Sequence, residues 1–199
     1  MGLTFDGTSG GAIQGIVRQP NGGATGLQLS SPSSSGGTGP QGIRVTPDGK
    51  FVIVANQGTS NVSVFSLDAT TGALTEVPGS PFPSGQQPAP VAIDPPTLAG
   101  TAPSAKFVFV GNTGGNSLSA YTIDSSGSLT PVTGTPIPLG TNAQPSSIAV
   151  DPAGKFVYVS IVPKQVAGFA LDPSTGVLTP ITGSPFSVGA VTRDMVFVP

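Results

Sequence analysis

The sequence predicts an all-β fold, a β-propeller of four-stranded antiparallel blades, with about four blades in the chain. Three observations carry the prediction. A block of about fifty residues recurs three times. Each block holds four short runs that are apolar throughout or alternate with period two, the pattern of strands and not of helices. Gly and Pro, 29 and 22 of the 199 residues, fall between those runs at matching places. The same amount of Gly and Pro without a period would indicate disorder; here it punctuates a repeat.

The first strand of each block reads 43–46, 91–94 and 148–151. A tight turn follows it at Pro47-Asp48-Gly49 and at Pro152-Ala153-Gly154, because Pro presets φ and Gly accepts a positive one. The middle block departs from this. There PTLAGTAPSA stands between Pro95 and Lys106, a Gly/Pro-rich insertion that belongs on a surface loop. The second strand, 51–55, 107–111 and 156–160, is apolar on both faces, as a strand sandwiched between sheets requires. The third alternates more clearly, as in 62–67, and ends at Asp68, Asp124 or Asp172. An Asp side chain can bond the backbone two residues on, so each opens a turn closed by Gly72, Gly127 or Gly176. The fourth strand, 74–77, 129–132 and 178–181, meets Pro78, Pro131 or Pro180. Proline cannot donate to a central ladder, which makes this strand an outer edge.

Residues 40–87, 88–144 with the loop insertion 95–105, and 145–189 therefore read as three whole blades. Residues 1–39 offer three weaker strands, 3–5, 12–17 and 27–30, followed by a Ser/Gly-rich connector. Residues 190–199 contain a run at 194–198 that matches only a first strand. The two ends together supply one composite blade.

Composition excludes several functions. Charged residues are 8% of the chain and the net charge is −2, so no basic face exists for nucleic acid. No run is long enough to span a membrane as a helix, and residues 1–5 show no basic segment followed by an apolar stretch, so no signal peptide is read. Without Cys or His, disulfides, thiolate chemistry and a Ser–His–Asp arrangement are out of reach. Glu76 is the single glutamate and sits on an outer strand, and every repeated Asp has a turn to explain it. On this reading the chain has no catalytic residue, no metal site and no cofactor.

The string DPAGKFVYV at 151–159, nearly repeated at 46–54, resembles the YVTN-type repeat. So does LDPSTGVLTP at 171–180 with Gly-Ser-Pro-Phe at 183–186. These motifs are similar to those of the lactonase-like seven-bladed propellers. The resemblance covers about residues 40–199. It implies the propeller fold, kinship with 6-phosphogluconolactonase-type enzymes, and a secreted, periplasmic or cell-surface bacterial setting. Seven blades in the family against about four here implies half of a larger propeller, or a homodimeric ring of about eight blades.

From the residues, the expected function is a non-enzymatic scaffold for structure or protein interaction. Two alternatives stand beside it: a fragment of a lactonase-like hydrolase, and a truncated or engineered propeller piece. A protein or small-molecule ligand is expected at the channel end, on loops between second and third strands and on links between blades. The residues there are Asn56, Asn112, Asn142, Gln144 and Arg193.

Overall fold

The computed structural model describes residues 2–6, 12–18, 24–27, 36–94 and 104–189, all strand, turn or irregular. An antiparallel three-stranded sheet comes first, β1 (Gly2–Asp6), β2 (Ala12–Arg18) and β3 (Ala24–Leu27), in the order β1-β2-β3. Three blades follow. Blade one holds β4 (Pro40–Val45), β5 (Phe51–Asn56), β6 (Asn61–Leu67), β7 (Leu74–Glu76) and β8 (Phe82–Pro83). Blade two holds β9 (Pro88–Asp94), β10 (Phe107–Asn112), β11 (Ser117–Ile123), β12 (Leu129–Pro131) and β13 (Ile137–Pro138). Blade three holds β14 (Gln144–Val150), β15 (Phe156–Val162), β16 (Gln165–Leu171), β17 (Leu178–Pro180) and β18 (Phe186–Ser187). In each blade the first four strands pair in chain order, and the fifth pairs back to the third.

Three details differ from expectation. The outer edge is two short strands, because the chain turns away between them. After β7, Val77-Pro78-Gly79-Ser80-Pro81 brings two prolines without amides, and Gly79 takes a φ of 87°. Ser80 Oγ fills the gap, accepting the Val64 amide at 3.1 Å, and Ser184 does the same for Gly168 at 3.0 Å. The first strands begin early, at Pro40, Pro88 and Gln144, because a bulge in each pairing lets the chain continue past Pro. Near the N-terminus the third strand is Ala24–Leu27 and not 27–30. There the register against β2, with Leu27 opposite Gly15, decides over weak local preference.

The turns behave as the residue types require. Asp68 Oδ1 accepts the amides of Thr70 and Thr71 at 2.8 and 3.1 Å, and Asp124 and Asp172 repeat the arrangement. Bonds led by Thr71, Ser126 and Ser174 hold these three carboxyls below the usual range. At the end of the first strand, Asp151 accepts the amides of Ala153, Lys155 and Phe156 at 3.1, 2.5 and 2.5 Å. Thr46 caps the same turn in blade one through the Phe51 amide at 3.0 Å. Asp94 corrects the expectation that every repeated Asp is explained by a turn. The sequence after Asp94 carries the insertion, and Asp94 is 5% exposed with no hydrogen-bond partner for its Oδ1 among the described residues.

The core lies between blades. Ile53, Val62 and Val64 of blade one meet Val91, Ile93, Val108 and Val110 of blade two. Phe109 and Leu118 meet Ile148, Val150, Val157 and Val159 of blade three. Each such side chain contributes roughly 1.5–3 kcal/mol by leaving water. Two glycines are needed for this packing. A Cβ on Gly127 would stand 2.7 Å from Cε1 of Phe51, and one on Gly176 would stand 2.6 Å from Cε1 of Phe107. With φ of 86° and 77°, both also occupy backbone that side chains resist. The turn of each later blade thus lies directly on the phenylalanine of the blade before it.

Candidate functional site

The first strands β4, β9 and β14 lie side by side, β9 in the middle. Where they bulge, they surround a cavity of about 440 Å³ lined by residues 41–44, 89–91 and 144–148, together with Thr113 and Val162. Bulges of this kind commonly re-aim side chains beside functional sites.

Arg44 sets the electrostatics. It is exposed on β4 and supplies the one formal charge among the described lining residues. Its Nη1 donates to the Ile43 carbonyl at 2.9 Å, and the planar guanidinium keeps further donors for a ligand. Gln41, Thr113, Gln144, Ser146 and Ser147 add polar groups, and Ile43, Val91 and Ile148 supply apolar wall. Such a site can hold an anion, or polarise a carbonyl oxygen and stabilise the charge that develops on it.

The residues chosen from sequence separate into different places. Gln144, exposed at the start of β14, lines the cavity. Asn56 and Asn112 do not, and this is a correction: both are fully buried inside their own blades. Asn112 Nδ2 donates to Ser117 and Ser119 at 3.0 and 2.9 Å, and its Oδ1 accepts from Ser84 at 2.9 Å. Asn56 Nδ2 likewise donates to Asn61 and Ser63 at 2.8 and 2.9 Å. Each amide ties the second strand to the third. Asn142 is exposed with a φ of 58° and is not among the residues lining the cavity, so it serves the bend of the link. Arg193 lies outside the described residues.

Arg44 was not expected. Its signal is present in the repeat: Ile43-Arg44-Val45 aligns with Val91-Ala92-Ile93 and Ile148-Ala149-Val150. A charge replacing alanine inside an otherwise apolar innermost strand marks a place where the wall is wet.

Solved structures of similar shape come from bacteria. The chain is 18% identical to a candidate 6-phosphogluconolactonase of Bacteroides uniformis, with a TM-score of 0.75 over 99% of this chain and 57% of that one. A candidate 6-phosphogluconolactonase of Bacteroides fragilis gives 20% identity and 0.73, over 98% and 59%. The periplasmic gluconolactonase PpgL of Pseudomonas aeruginosa gives 14% and 0.71, over 96% and 54%. The chain therefore spans between half and three fifths of these relatives, and at such identities the likeness shows the fold. No curated protein matches the chain.

The model of the family described as lactonase, 7-bladed beta-propeller, matches residues 20–93 and 99–195. This finding and the lactonase names of the neighbours overturn the expectation of a non-enzymatic scaffold and favour the hydrolase alternative. That expectation rested on the absence of His and Cys from the chain and on a single glutamate, Glu76, on an outer strand. In a propeller the axial residues come singly from separate strands, so no contiguous motif announces them. The chain belongs to the lactonase family of seven-bladed β-propellers.

Proposed function

We propose that this chain forms part of the substrate site of a lactone-hydrolysing propeller, with a small lactone held where β4, β9 and β14 converge. The observation that carries the reading is Arg44, a lone guanidinium in a polar-and-apolar cavity of about 440 Å³. That volume falls in the range of small-ligand sites. In the reaction water adds to the lactone carbonyl carbon, the ring C–O bond breaks, and the ring oxygen takes a proton to give a hydroxy acid. Arg44 stabilises the negative charge on the carbonyl oxygen during that addition, while Gln41 and Gln144 orient the ring hydroxyls. The neighbours' names point to a gluconolactone or its 6-phospho form as the substrate class.

The test is hydrolysis of glucono-δ-lactone followed in a pH-stat, corrected for the spontaneous rate. Arg44→Ala should lower kcat/KM by roughly 100-fold, and Arg44→Lys should keep part of the activity because charge remains without the planar fork. Turnover that is absent, or unchanged in a folded Arg44→Ala variant, overturns the proposal.

A further inference from the structure

Two glycines that no turn requires shape the cavity where β4, β9 and β14 converge. Neither Gly42 nor Gly111 has a φ in the left-handed region, so what glycine supplies at each place is room. A Cβ on Gly42 would overlap the carbonyl oxygen of Ala89 and stand 3.1 Å from Cγ2 of Val91, both on β9. One on Gly111 would stand 2.6 Å from Cγ of Pro90 and 2.9 Å from Cβ of Pro145.

The repeat itself does not ask for glycine at either position. Ile43, Val91 and Ile148 pair with Val54, Val110 and Val159, which makes Gly42 equivalent to Pro90 and Ser147, and Gly111 equivalent to Ala55 and Ser160. Other blades accept side chains at both places, so the demand comes from the neighbouring strands. Gly42 stands two residues before Arg44 in regular pairing with β5, and the two share a face of β4. The gap between β4 and β9 that Gly42 permits therefore also sets how far Arg44 stands from β9. Gly111 is buried on β10 behind Pro90 and Pro145, which line the cavity where Gly111 does not. A methyl group there would lift both proline rings into the cavity.

Resting on the lactone site proposed above, we infer that Gly42 and Gly111 are its positioning residues. Gly42 places the Arg44 guanidinium against the reacting carbonyl, and Gly111 sets the depth available to the ring that carries it. Misplacing a stabilising group by a fraction of an ångström acts on the transition state, whereas a shallower pocket acts on binding.

Glucono-δ-lactone hydrolysis should therefore split the two variants. Gly42→Ala should lower kcat by roughly 10- to 100-fold with little change in KM, and Gly111→Ala should raise KM roughly tenfold with kcat largely kept. Gly49→Ala is the control for lost stability alone: its φ is 72° and nothing lies within 4 Å of its Cβ position. It should lower the melting temperature and keep both kinetic parameters. Calorimetric binding of gluconate reads the same site without turnover, and its dissociation constant should rise roughly tenfold in both cavity variants. Cavity variants that keep their β spectrum in circular dichroism and match Gly49→Ala in kcat, KM and gluconate affinity overturn the inference and leave the lactone site standing. Gluconate binding by the unaltered chain without turnover overturns the hydrolysis reading, and its weakening in both variants still supports the positioning role. Absence of both turnover and gluconate binding in the unaltered chain overturns the two together.

Discussion

In blade two the second strand ends on Asn112; at the same position in blade three stands Ile161. The exchange is not solitary. Ser119, which receives a bond from Asn112, aligns with Ala167, so amide and hydroxyl are replaced together by two apolar side chains. The link into each blade follows suit. Into blade two it runs through Ser84, whose hydroxyl donates to Asn112 at 2.9 Å. Into blade three it runs through Leu139 and Ala143, which pack in the same core cluster as Ile161. One fold thus fastens its links in two ways, by a satisfied polar node or by apolar burial, and each works only as a set. A half-exchanged node would leave buried groups unpaired.

At the other end of the second strand the same two blades differ again. Asp151 is satisfied by three turn amides. Asp94 is followed in the sequence by the insertion, and burial raises its carboxyl above the usual value, opposed by Lys106 and reinforced by the Asp151 charge. Here the sequence change is an insertion, and the cost falls on the residue left behind.

The comparison is broken most severely by mixing the two sets. Ile161→Asn should cost roughly 3–5 kcal/mol in urea unfolding, from lost packing plus a buried amide without partners. Adding Ala167→Ser should restore roughly 1 kcal/mol by giving the amide a hydroxyl. A tolerated single variant would show that the blade-three site is wet. Next in size, Asn112→Leu should cost roughly 2–4 kcal/mol, since the hydroxyls of Ser84, Ser117 and Ser119 lose their partner. A melting temperature equal to that of the unaltered protein would refute the node.

The smallest effect has the opposite sign. With its folded pKa raised, Asp94 opposes folding above that value, and the penalty fades as pH falls toward the unfolded value of 3.8. Asp94→Asn should therefore raise the melting temperature at neutral pH and lose that advantage near pH 4. Asp48, Asp68, Asp124 and Asp172 have lowered values, so they stabilise above 3.8 and lose that contribution on further acidification. A stability difference for Asp94→Asn that ignores pH would show that its carboxyl is not the source.

Local chemistry was legible in the chain itself. Short runs apolar on both faces placed β5, β10 and β15 to within a residue or two, and Asp-to-Gly turns appeared where Asp68, Asp124 and Asp172 announced them. The split outer edge was not legible, because the pairing of β8 to β6 depends on a strand brought alongside and not on its own two residues. Of the described residues chosen from the sequence, Gln144 is the one that lines the cavity. Asn56 and Asn112 looked like channel residues because Asn suits loops as well as buried nodes.

What the sequence alone determined about this protein is the repeat, its strands and turns, and the resemblance to a lactonase-type propeller, all set by the chemistry of near neighbours. What the tertiary structure decided is which polar side chains face the axis. Asn112 and Arg44 both sit on strands of their blades, and nothing local says that one is enclosed while the other is exposed. That depends on the bulge in each first strand and on the face presented to the neighbouring blade, which exist only once the blades have packed.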